Sequence, residues 1–126
     1  MKALIIDDSL AMRSILTRIV TQLGFDCVEA SNGQEGLTRL DEVDDISLVL
    51  VDWNMPEMNG LDFVKVVRTK PEYEKLPLMM VTTETEPMRM ALALMAGVDE
   101  FVMKPFTPEI LSEKINLLGI RPTAAT

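Results

Sequence analysis

The sequence predicts an α/β fold, a five-stranded parallel sheet with five helices covering both of its faces. Five short strand-like segments alternate along the chain with five segments of helical periodicity, joined by short turns. The central run, Leu48-Val49-Leu50-Val51, is apolar without alternation and too short for a helix, which marks a strand buried on both faces. Crossovers between such strands are right-handed and all strands point the same way, so their C-termini share one edge.

In order, Lys2 to Asp7 reads as the first strand, and Ser9 caps a helix whose apolar stripe is Met12, Ile15, Leu16, Ile19, Val20 and Leu23. Gly24 stops that helix. Phe25 to Ala30 is the second strand, Ser31-Asn32-Gly33 a turn, and 34–43 a helix weakened by Gly36. The acids Asp41, Glu42, Asp44 and Asp45 read as a solvated loop. After the central strand, Leu61, Val64 and Val67 mark a third helix that ends before Pro71. Leu76 to Thr82 is the fourth strand, 86–96 the fourth helix with Pro87 in its first turn, and Val98 to Met103 the fifth strand. Thr107 caps the last helix, with Ile110, Leu111, Ile115 and Leu118 inward. One domain over 1–120 and a frayed tail over 121–126 are expected.

Composition narrows the function. The chain has 126 residues with a formal charge of −8, which disfavours nucleic acid and anionic membrane as partners. No apolar run is long enough to span a membrane or to serve as a signal peptide, so a cytoplasmic location is expected. Cys27 is the only cysteine, read as a small buried hydrophobe. The chain has no histidine, which removes Ser-His-Asp triads, histidine-ligated zinc and a phosphohistidine carrier.

The residues that end the strands then become informative, because ligands bind open α/β sheets at that edge. They are Asp7 and Asp8, Asp52, Thr82 and Lys104. Three convergent carboxylates repel one another unless a cation neutralises them, and oxygen ligands alone suit Mg²⁺. A carboxylate beside Mg²⁺ can attack phosphorus, while Lys104 and Thr82 stabilise the phosphoryl oxygens. Asp52, ending the most buried strand alone, is the candidate nucleophile. An aspartyl-nucleophile phosphatase and a flavin mononucleotide carrier are the rival readings. The first wants an Asp-x-Asp pair after its first strand, and the second a Ser/Thr/Gly-rich phosphate loop.

These residues make the chain resemble the receiver domains of two-component response regulators. The elements are Asp7-Asp8-Ser9 with Met12-Arg13, Val51-Asp52-Trp53-Asn54-Met55-Pro56 with Asn59-Gly60, Met80-Val81-Thr82, and Lys104-Pro105-Phe106. The resemblance implies a flavodoxin-like sheet of strand order 2-1-3-4-5. It implies Asp52 as phosphoacceptor, and Mg²⁺ held by Asp7, Asp8, Asp52 and the backbone carbonyl of Asn54. Thr82 and Phe101 match the switch residues, Lys104 the phosphate contact, and Asn54 and Glu84 positions that tune dephosphorylation. The Lys104-Pro105 bond is expected to be cis. A histidine kinase would donate the phosphoryl group to a monomeric, stand-alone regulator. Its target would be a protein such as a flagellar motor switch; a phosphatase partner and a relay-shuttle role stay open.

The output face has a reading of its own. On the fourth helix Met88, Ala91, Leu92 and Met95 are expected inward, with Met90 and Leu94 toward water near Phe101. Six of the ten methionines lie between Met79 and Met103, and methionine suits surfaces that repack against partners.

Overall fold

In the computed structural model, which describes residues 1–120, β1 (Lys2–Ile6) pairs in parallel with β2 (Asp26–Ala30) and with β3 (Ile46–Val51). Next come β4 (Leu78–Thr82) and β5 (Glu100–Met103), giving the order β2-β1-β3-β4-β5, all parallel, as expected. The tail expected over 121–126 lies outside the described residues. The helices are α1 (Leu10–Gln22), α2 (Gly33–Glu42), α3 (Gly60–Arg68), α4 (Pro87–Ala96) and α5 (Pro108–Leu117). The segment expected as a loop after α3 contains a 3-10 turn, Pro71–Tyr73.

The period-2 alternation of the strands sorts the core into two layers. Ala3, Ile5, Leu48, Leu50, Met79, Val81 and Val102 face one side, against Leu16, Ile19 and Val20 of α1 and Leu111 and Ile115 of α5. Leu4, Ile6, Val49, Val51, Leu78 and Met80 face the other, against Leu40 of α2, Phe63, Val64 and Val67 of α3 and Ala93 of α4. Capping fixes where the helices begin. Ser9, Asn32, Asn59 and Thr107 each accept a backbone N–H three residues on. Gly36 is buried where α2 crosses β1, and a Cβ there would run into Ile6. The same glycine that weakens α2 locally therefore allows its close packing.

Several side-chain placements differ from expectation. On α4 the inward positions are Ala93, fully buried, and Met90 and Ala96, half-buried. Met88 (72% exposed), Leu92, Leu94 and Met95 (84% exposed) face water, as does Ala91. Leu94 is thus exposed as expected, whereas the stripe expected inward is turned out and Met90 is turned partly in. The helix is apolar almost all round, so its periodicity does not fix its phase. Contact with α3 does, and it selects small residues at the seam: Gly97, which closes α4, has Arg68 of α3 against it. Ile15 and Ile110 are likewise exposed, each at the margin of its helix stripe. Cys27 is half-buried rather than buried, with its Sγ 3.4 Å from Thr21 Oγ1. Burial pushes its thiol pKa above the ordinary value, an effect that the Thr21 hydrogen bond only partly opposes.

Candidate phosphoryl and metal site

At the C-terminal edge, β1 and β3 deliver their acids side by side. Ile6 pairs with Val51, and the Asp52 N–H donates to the Ile6 carbonyl (3.0 Å). Asp7, the next residue after β1, is 1% exposed, and Asp52 is 8% exposed. Asp8 is exposed, with one carboxylate oxygen of Asp7, Asp8 and Asp52 lying within 4.8 Å of the others.

The Lys104-Pro105 bond is cis, as expected, and Lys104, which follows β5, reaches back across the edge. Its Nζ donates to Asp7 Oδ2 (2.9 Å) and to Asp52 Oδ2 (3.1 Å). Burial alone would pull this ammonium pKa down. The hydrogen bond to Asp7 and the negative charges of Asp52 and Asp7 outweigh it, and the pKa stands above 10.5. Three carboxylates against one ammonium still leave this cluster with an excess of negative charge.

Asp52 Oδ1 is buried and has no hydrogen-bond partner among the described residues. A buried unpaired carboxylate oxygen is costly unless something else binds it. The donor set, all oxygen with no histidine or thiolate among its acids, fits Mg²⁺. An open cleft of about 610 Å³ beside the acids is lined by Asp8, Trp53, Asn54, Pro56, Asn59 and Arg89. Asn54, expected to offer its carbonyl to the ion, therefore borders the same space as Asp8.

Thr82 is fully buried at the end of β4, and its Oγ1 accepts the Glu84 N–H (3.1 Å). Glu84 is turned to Arg89, whose Nη1 lies 3.2 Å from Glu84 Oε2. Phe101 is half-buried on β5, opposite Met80 in the ladder, and packs with the α3 and α4 side of the core rather than lining the cleft.

Several supports escaped the sequence reading. The Ser9 N–H donates to Asp7 Oδ1 (2.9 Å), so the residue that caps α1 also anchors an acid. Arg13 Nη1 donates to the Asp7 carbonyl (2.7 Å) while its Nε pairs with Glu29. Gly60 opens α3 against the Asp52 carbonyl, with its own N–H on Trp53 O (2.9 Å). Arg89 carried one signal, a glutamate three residues before it at Glu86.

An acidic crevice at the carboxyl edge of a parallel 2-1-3-4-5 sheet puts this chain in the flavodoxin-like class of α/β proteins, whose ligands bind at that edge. The particular family follows from comparison: residues 3–116 match the response regulator receiver domain, and the chain belongs to that family. It is 47% identical over 121 residues to a chemotaxis protein CheY homolog of Campylobacter jejuni, covering 94% of this chain and 93% of that one. It is 44% identical to the chemotaxis protein CheY1 of Helicobacter pylori, covering 94% and 96%. Among solved structures, the chemotaxis response regulator CheY4 of Vibrio cholerae superposes with a TM-score of 0.87 at 32% identity, covering 93% and 97%. Among the described residues, no helix is long and apolar enough to cross a membrane.

Proposed function

We propose that this chain is a chemotaxis response regulator receiver that accepts a phosphoryl group on Asp52 from a histidine kinase. Its domain spans 1–120, and its output is a change in the surface built from α4, β5 and α5. The observation that carries this is the Asp52 carboxylate: one oxygen is held by Lys104, and the other is buried next to Asp7 and Asp8 and unpaired among the described residues.

Asp7, Asp8, Asp52 and the Asn54 carbonyl would hold Mg²⁺, which when bound supplies charge neutralisation for the acids and for the incoming phosphoryl oxygens. This chain's own residues do the rest. Lys104, fixed between Asp7 and Asp52, presents an ammonium to a phosphoryl oxygen as charge accumulates there. Thr82 keeps its hydroxyl proton free while its oxygen accepts from Glu84, so it can donate to another phosphoryl oxygen. Asn54 and Glu84, on the loops after β3 and β4, set how water reaches the acyl phosphate and hence its lifetime.

Turning Thr82 toward the phosphoryl group loosens the β4–α4 loop. Phe101, half-buried in that layer, then packs inward and biases α4. The exposed Met88, Leu92, Leu94 and Met95 supply the apolar part of a protein-docking face, extended by half-buried Met90 and Phe101. The chemotaxis relatives favour a flagellar motor component as the target over a relay shuttle.

Trp53 is buried beside Asp52, so its fluorescence reports the site. Titration with Mg²⁺ and then with beryllofluoride, a phosphoryl mimic, should give a saturable change at each step. A flat response to both would withdraw the proposal.

A further inference from the structure

From the end of β4 into the first turn of α4 the chain reads Thr82-Thr83-Glu84-Thr85-Glu86-Pro87-Met88-Arg89, and Thr82, Glu84, Glu86 and Arg89 are linked in one continuous polar chain. Thr82 Oγ1 accepts the Glu84 N–H (3.1 Å). Glu84 Oε1 accepts the Glu86 N–H (3.0 Å), and Glu84 Oε2 pairs with Arg89 Nη1 (3.2 Å). Arg89 Nε meets Glu86 Oε2 (3.4 Å), one helical turn back. The Glu84 side chain is only 14% exposed, so its carboxylate depends on these partners more than a surface acid does. Arg89 is also the cation among the residues lining the cleft that contains Asp8 and Asn54.

We propose that Arg89 is a positioning residue: by gripping Glu84 it ties the Thr82 hydroxyl to the first turn of α4 and holds the site in its unphosphorylated arrangement. The inference rests on the reading of Thr82 as the group that turns to a phosphoryl oxygen. For Thr82 Oγ1 to move, it must give up the Glu84 N–H, and the loop carrying that N–H is fixed at its far end by Arg89. Releasing Arg89 lowers the cost of the move, so the phosphoryl-bound arrangement becomes easier to reach.

This sign separates the latch from simple charge attraction. Removing a cation from the rim of an anion site weakens anion binding by Coulomb's law. Removing a latch strengthens it. Arg89 is half-exposed, and ion pairs of that kind are modest, so the expected effect is about two- to five-fold.

The experiment measures beryllofluoride affinity at saturating Mg²⁺ by Trp53 fluorescence in the full chain. Arg89→Ala should bind about two- to five-fold tighter than wild type, and Arg89→Lys should stay close to wild type because a lysine keeps a charge on Glu84. In a Glu84→Ala background, Arg89→Ala should have no effect, since the grip has already been lost. Weaker binding by Arg89→Ala, or an equal effect with and without Glu84, overturns the latch. Failure of the wild type to bind beryllofluoride would instead overturn the underlying phosphoacceptor reading.

Discussion

Lys104 Nζ sits 3.1 Å from Asp52 Oδ2, while the other oxygen of the same carboxylate is buried without a partner among the described residues. The lysine thus compensates half of a group whose remaining half is left for a ligand. Because the same ammonium also holds Asp7 Oδ2, it is the internal counter-ion of two acids that would otherwise repel in a site of low solvent access.

Lys104→Met should therefore destabilise the metal-free protein at neutral pH by about 3 kcal/mol, the usual cost of removing one member of a buried ion pair. Urea unfolding measures this, and adding Asp52→Asn to the variant should recover part of the loss. The pH dependence has a definite sign. The folded pKa of Lys104 is raised above 10.5, so its stabilising contribution is complete below the unfolded value and fades as pH rises through the folded one. The stability gap between wild type and Lys104→Met should stay constant through neutral pH and close only above pH 10.5.

Gly60→Ala should destabilise, against the usual preference of about 1 kcal/mol for alanine over glycine in a helix. A Cβ at this position collides with the Asp52 carbonyl, and backbone cannot swing aside as a flexible side chain can. A loss of about 1–3 kcal/mol is expected, together with weaker Mg²⁺ binding because Asp52 itself is displaced. Chemical denaturation and Trp53 titration on the same sample check both parts.

Much of this site was legible in the sequence because the apolar runs of β1, β3, β4 and β5 each give way to a polar residue where the strand ends. Parallel strands carry such ends to one edge, so Asp7, Asp8, Asp52, Thr82 and Lys104 could be placed there without coordinates. The phase of α4 was not legible. Met88, Leu92 and Met95 look like a core stripe, but almost every face of that helix is apolar, and its seam with the rest of the fold runs through Ala93 and Ala96. Ile15 and Ile110 fail for a milder version of the same reason, since a helix stripe has edges and periodicity does not say which edge is wet. The grip of Arg89 on Glu84 and the support of Arg13 under Asp7 depend on loop paths, which no hydrophobic pattern encodes.

Cys27 should alkylate more slowly in the folded protein than in the urea-unfolded chain at the same pH. Burial raises its pKa above 9.0, so at pH 8 less of it is the reactive thiolate. Iodoacetamide kinetics measure this, and equal rates in the two states would contradict the half-buried placement of its sulfur.

Intact mass after incubation with acetyl phosphate and Mg²⁺ tests the phosphoacceptor directly, with wild type and Asp52→Asn run side by side. The expected result is a gain of one phosphoryl group by wild type, dependent on Mg²⁺, and none by a variant whose circular dichroism is unchanged. Equal labelling of the two proteins, or no labelling of wild type, would contradict it.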